Sequence, residues 1–282
     1  LEQIHTSHNG LGTVLPSSGA GIYFDESNDV VSAGKNVSCT NCSSSHDQHG
    51  VVIRDSIDIF LDGITSREPL FGPALDIDNS GITEREGRVS LSNITVFQNS
   101  STHSVELNLA DATIDNLEIV GSNYGVKWSA IGGMTSYLNS SLIRGSQGCM
   151  ELIDHTDLVS SSVLFECEGA NPSVSSSFVN FTDSSFSTAL GMSETFSTLG
   201  NSHIRWISSS RIATPNFTGS DNIVDLMWFV EANVVNQNLR NIPFSDVNFS
   251  FDQLEIEFNH TLPYSGREVV GPFIGQRWTP IQ

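Results

Sequence analysis

The chain has 282 residues, enough to bury a sizeable core as one or two domains, and its 12 Lys+Arg against 32 Asp+Glu leave a net charge of −20. That charge opposes binding to nucleic acid or to an anionic membrane surface and favours basic partners or divalent cations. Charged residues are only 16% of the chain, so its surface is built from Ser, Thr, Asn and Gly, a composition that disfavours long helices and favours strands joined by turns.

The sequence begins at Leu1 without a Met, without a basic-apolar leader and without any run of 18 apolar residues, so it reads as a processed chain or a piece of one that holds no membrane-inserting segment. Residues 1–20 set isolated apolar residues among Gly, Pro and Ser, as an extended N-terminal segment does. A repeat follows. Its starts are Gly21, Gly50, Gly72, Ser104, Gly125, Gly148, Gly169 and Gly191, spaced 29, 22, 32, 21, 23, 21 and 22 residues apart. A second element falls between them at Asn36, Asn93, Asn116, Asn139, Ser161 and Asp183, and from Asn93 onward its spacing is 23, 23, 22 and 22.

Each repeat is too short for a strand-helix-strand unit and holds two or three brief apolar runs separated by Gly, Asn and Ser. One such unit cannot bury its own apolar face, so neighbours must stack into a continuous column. The spacing predicts a parallel β-helix with rungs of about 22 residues over residues 21–235, followed over 236–282 by a C-terminal β cap or further rungs. The two long intervals, "CTNCSSSHDQ" and "DIDNSGITEREG", read as loops thrown out of the column. The repeat resembles the right-handed parallel β-helix found in surface proteins and in pectate-lyase-like enzymes. The resemblance covers about Gly21 to Ile212 and rests on the repeat pattern.

Within that resemblance, Ile153-Asp154-His155 is similar to the W-I-D-H segment of pectate lyases, with Leu152 where the Trp stands. The likeness implies an Arg base and a calcium-binding Asp cluster acting beside a uronate carboxylate. The downstream Asp-rich and Arg-rich segments are missing here, as are the paired Asp and Gly-His-Gly segments of the polygalacturonase branch.

"DIDNSG" opens like a calcium loop, with Asp76, Asp78 and Ser80 at positions 1, 3 and 5 and Gly81 at the turn. Position 12 is Gly87, so Glu84 or Glu86 would have to close a shell around Ca2+; the other reading is a solvated acidic turn. Of the four cysteines, Cys39 and Cys42 form a lone C-x-x-C best read as a small structural disulfide. Cys149 and Cys167 fall on adjacent rungs, within reach of a second bond. Two local pairings argue for an oxidising compartment. His46, Asp47 and His49 offer metal-binding atoms, yet turn packing accounts for them as well.

Nine N-x-[ST] sequons begin at Asn36, Asn41, Asn93, Asn99, Asn139, Asn180, Asn216, Asn248 and Asn259. Asn93, Asn116 and Asn139 occupy one repeat position, and Asn116 lacks a sequon, so this column is kept for an asparagine ladder at a turn. Asn99 and the remaining six are the expected glycan sites. Together these features predict an extracellular structural or adhesive glycoprotein module, on the cell surface or in a filament. Its partners would be other copies of itself, other surface proteins or glycans. The competing reading is a carbohydrate-active enzyme or sugar-binding spike on the same scaffold.

Overall fold

The computed structural model describes residues 5–7, 20–25, 37–40, 43–45, 49–54, 59–67, 72–78, 89–97, 103–120, 124–130, 135–155, 157–167, 173–188, 195–209, 214–251, 256–265 and 267–280. These form 27 strands and no helix. No helix among them is long and apolar enough to cross a membrane. Nine strands make one all-parallel sheet, and the rest of the solenoid forms a 16-stranded sheet. The register advances by one coil at each step: Leu91 pairs with Ile114, Ile114 with Leu138, and Leu138 with Ser160. The molecule is a parallel β-solenoid with coils of about 23 residues.

One complete coil shows how the chain travels. Tyr124–Ser129 lies in the nine-stranded sheet, Thr135–Asn139 in the first limb of the larger sheet, and Leu142–Gly145 in its second limb. Gly148–Ile153 then returns to the first sheet one coil further on. The two limbs are one sheet bent at a corner, because Val89–Phe97 and Ala112–Val120 run through both without a break.

That corner is a column of left-handed residues: Gly63, Asn93, Asn116, Ser140, Ser162, Asp183 and Ser208 all have φ between 48° and 66°. Gly adopts this conformation most readily and Asn or Asp next, because a Cβ crowds the neighbouring carbonyl. Each corner amide continues the ladder, as Ser140 N–H donates to Ser161 O at 2.9 Å and Ser208 N–H to Met227 O at 2.9 Å. The expected asparagine ladder is present in part. Asn93 Nδ2 donates to Asp62 Oδ1 at 2.8 Å and Asn116 Nδ2 to Asn93 Oδ1 at 2.8 Å. Asn139 is the exception: it pairs with Asp115, one place before the corner, and Ser140 takes the left-handed position.

Two repeat starts shift for a similar reason. Leu75 pairs with Val51, so Ala74 rather than Gly72 stands opposite Gly50; Met150 pairs with Val126, so Cys149 rather than Gly148 stands opposite Gly125. This column is tight, since a Cβ on Gly50 would run into the Ala74 carbonyl and one on Gly125 into that of Cys149. The stretch expected as the first loop is only partly a loop, because Val37–Thr40 and Ser43–Ser45 are strands paired with Ile59–Asp62 and Thr65–Arg67. Of the second, residues 79–88 lie outside the described residues.

Inward residues stack into apolar columns such as Ile53, Ile77, Leu107, Trp128, Leu152 and Val174. Each buried Leu or Ile contributes about 1.5–3 kcal/mol. Toward the C-terminal end the interior is aromatic: Phe165 meets Phe181 edge-on at 5.5 Å, and Phe181 stacks on Trp206 at 4.4 Å. Buried serines line the corners. Ser141 Oγ accepts from Leu117 N–H and donates to Asn139 O, which satisfies backbone atoms that the bend takes out of the sheet. Beyond Met227 the parallel pairing ends, and Arg267–Trp278 runs antiparallel along Ile223–Asn233. Asp246–Phe251 and Ile256–Thr261 form a separate hairpin.

Candidate functional site

The outward side of the nine-stranded sheet is a polar array. Strand alternation places Asp76, Glu106, Lys127 and Glu151 in one row across four successive coils, with Asp78, Asn108 and Ser129 in a second row. The charges engage one another from coil to coil. Arg54 lies 3.6 Å from Asp76 and Lys127 lies 3.6 Å from Glu106, while His103 stands 3.9 Å from Glu151 and 5.4 Å, ring to ring, from Tyr124. The second row is a hydrogen-bonded chain, with Ser129 Oγ donating to Asn108 Oδ1 and Asn108 Nδ2 to Asp78 Oδ1, both at 3.0 Å. Burial pushes the Asp76 carboxyl up to about 6, against the pull of Arg54 and with help from Glu106. Burial also lowers His103, in spite of the acids Glu106 and Glu151.

Asp76 and Asp78 are thus two outward residues of the strand Leu75–Asp78, and Asp76 is already engaged by Arg54. Ser80, Glu84 and Glu86 lie outside the described residues, as do His46 and Asp47. Among the described residues no three His, Cys, Asp or Glu side chains converge as a metal-binding group.

The Asp154-His155 pair of the lyase-like segment is split by a corner. Asp154 takes the left-handed position, with φ 58°, and is exposed. His155 is turned into the core, 1% exposed, with its ring edge-on to Trp128 at 4.9 Å. Its Nε2 lies 3.2 Å from the Trp128 carbonyl, which only accepts, so Nε2 carries the proton. Trp128 Nε1 in turn donates to Ala110 O at 2.6 Å. Burial holds the imidazole down at about 4. This histidine is a filler of the interior column rather than a group aimed at a substrate.

Cys149 and Cys167 form a disulfide with Cα atoms 5.2 Å apart. Cys167 pairs in the sheet with Gly145, and Cys149 follows Gly145 across a two-residue turn, so the bond clips one coil to the next at the corner. Cys42 lies outside the described residues, and with it the Cys39–Cys42 pairing. Of the expected glycan sites, Asn180 faces outward between Val159 and Arg205, Asn216 is exposed on Thr214–Thr218, and Asn248 pairs with Asn259 in the hairpin. Asn36, Asn41 and Asn99 lie outside the described residues.

One constellation went unseen in the sequence. Asp225 is fully buried and accepts hydrogen bonds from Arg277 at 2.6 and 2.8 Å and from His203 Nε2 at 2.9 Å. Burial pushes its carboxyl up, but the bonds and charges of Arg277 and His203 outweigh this and hold it below the ordinary range. The group ties three strands together: His203–Ile207, Ile223–Asn233 and Arg267–Trp278. A single acid inside "IVDLMWFV" was the available signal, since an acid in an apolar run needs a cationic partner. Comparison with protein-family models, with curated proteins and with solved structures finds no match to this chain.

Proposed function

We propose that this chain is an extracellular structural or adhesive module, a rod that presents polar faces and works by holding and joining rather than by turnover. The observation that carries the reading is the engagement of its reactive side chains from coil to coil. Arg54 with Asp76, Lys127 with Glu106, Arg144 with Glu166 at 2.5 Å, Arg277 with Asp225, and Cys149 with Cys167 each join neighbouring strands. Such pairing stiffens a solenoid along its axis, where each coil otherwise touches only its two neighbours. The disulfide supports an oxidising compartment, and the exposed sequon at Asn216 supports a secreted glycoprotein.

The test is secretion from a eukaryotic host, followed by intact and deglycosylated mass measurement and incubation with a panel of neutral and uronate polysaccharides. Glycans, closed disulfides and retention on cell surfaces or glycans without cleavage are the expected results. Polysaccharide cleavage that Asp76→Asn abolishes would overturn the reading.

That second outcome defines the runner-up, a sugar-binding or sugar-cleaving face on the nine-stranded sheet, possessed of the pectate-lyase-like ancestry that the repeat suggests. It is favoured by Asp76, whose carboxyl titrates near 6 in register with Glu106. Calcium at Asp76, Asp78, Ser80 and Glu84 or Glu86 belongs to this reading, and Asp76 would have to release Arg54 to serve. Calorimetry with calcium up to about millimolar concentration checks it.

A further inference from the structure

The two sheets of the solenoid finish differently at its C-terminal end. The larger sheet is closed by the chain itself, since Arg267–Trp278 lies antiparallel along Ile223–Asn233. The nine-stranded sheet finishes at Thr214–Thr218, which pairs, among the described residues, only with Thr195–Leu199. The other side of Thr214–Thr218 is an open edge, and such an edge offers unpaired N–H and C=O groups to any strand that approaches.

The ladder tells which groups these are. In a parallel strand the N–H and C=O of one residue turn to the same neighbour, and those of the next residue turn to the other. In three successive coils the same register position turns back: Ile153 O accepts from Ala130 N–H, Ser175 O from Asp154 N–H and Leu199 O from Ser176 N–H, each at 3.0 Å. Thr218 stands in register with Leu199, so Thr218 and Asn216 turn back toward the column while Pro215 and Phe217 turn outward. Pro215 has no N–H to give. Within the strand, the open edge is therefore left with one donor, the Phe217 amide, whose side chain packs against the end of the core.

Asn216 stands between these two outward residues. It is exposed, and it lies in register with the outward row that runs from Glu151 through Ser173 and Ser197. Asn216-Phe217-Thr218 is also a sequon. A strand added to this edge would lie roughly 4.8 Å away, with its own outward side chains beside Asn216. A branched sugar on Asn216 is wider than that gap and fills the same space. We infer that Asn216 is an N-glycosylation site whose glycan, together with Pro215, closes the open edge of the nine-stranded sheet against strand addition. The inference rests on the reading of the chain as a secreted glycoprotein module, and it names an end through which that module does not join.

The test combines glycopeptide mapping, sedimentation velocity from about 1 to about 100 μM and hydrogen exchange, all on the full chain secreted from a eukaryotic host. Asn216 carries a glycan, and Asn216→Gln/Pro215→Thr self-associates at a concentration at least about tenfold lower than the parent does. The control Asn180→Gln, which removes a sequon from the flank, associates as the parent does. The Phe217 amide exchanges fast in the parent and becomes protected when the double variant associates, whereas misfolding would quicken exchange along Phe178–Thr182 instead. Trimming the glycans of folded Pro215→Thr to their first sugar gives the same association and the same protection, which keeps the test valid if the double variant fails to fold. A bare Asn216 beside other occupied sequons, a double variant no more associated than the parent, or association without protection of Phe217 overturns the inference and leaves the secreted-module reading standing. A chain bare at every sequon overturns both.

Discussion

Phe181 in the solenoid body is 1% exposed and stacked on Trp206, while Phe244 in the C-terminal arm, the strands and turns that follow Met227, is 65% exposed beside a Tyr264 that is itself 79% exposed. The same residue type meets opposite fates because the body repeats and the arm does not. Each coil of the body supplies apolar floor and backbone ladder to its neighbour. The arm abandons the corner at Trp228, and among the described residues no further parallel coil follows it. Burial of large apolar side chains therefore belongs to the repeating part, and their exposure to the part where repetition stops.

The comparison breaks most visibly at Phe181. Phe181→Ala removes the ring between Phe165 and Trp206 and costs about 3–5 kcal/mol, read as a lowered denaturation midpoint, whereas Phe244→Ala, at a ring 65% exposed, leaves that midpoint nearly unchanged. An equal loss at both positions would mean that the arm is part of the core.

The next effect is acid-sensitive. His155 is held near 4 in the fold against an ordinary value of 6.5, so its contribution is complete above pH 6.5 and is lost as the pH falls toward 4, by up to about 3 kcal/mol. Asp76 acts with the opposite sign: its raised value, about 6 against 3.8, stabilises the fold progressively as the pH falls from 6 toward 4. Denaturant titrations at several pH values should show His155→Gln flattening the acid-side loss and Asp76→Asn steepening it. The reverse pattern would place the sensitive groups elsewhere.

Opening the clip between coils has a similar size. Cys149→Ser/Cys167→Ser lowers body stability by about 3 kcal/mol for a loop of this length, and peptide mapping without reductant finds the Cys149–Cys167 link in the parent. Where arm and body meet, Asp225→Asn weakens a pair whose Arg277 is partly open to solvent, so the loss is smaller, about 1–2 kcal/mol. Hydrogen exchange should quicken along Arg267–Trp278 and not along Phe178–Thr182. The smallest effect is at the corner, where Asn116→Ala costs about 1 kcal/mol for a left-handed Cβ and a lost ladder bond, and Asn116→Gly costs less.

The sequence by itself determined the class of fold, because the repeat marked by Gly125, Asn93 and Asn116 is too short for a strand-helix-strand unit and is built of brief apolar runs between Gly, Asn and Ser. It also placed Cys149 and Cys167 on adjacent coils. Only the tertiary structure decided the register at Gly72, Gly148 and Asn139, where a turn one or two residues longer or shorter shifts every later position without altering the local pattern. The same holds for His155, since the bend turns the residue after a left-handed corner inward whatever its chemistry, as it does Ile94, Leu117, Ser141 and Val163. It holds again for Asp225, whose partners His203 and Arg277 stand 22 and 52 residues away and meet it only because a parallel strand on one side and an antiparallel strand on the other close over it.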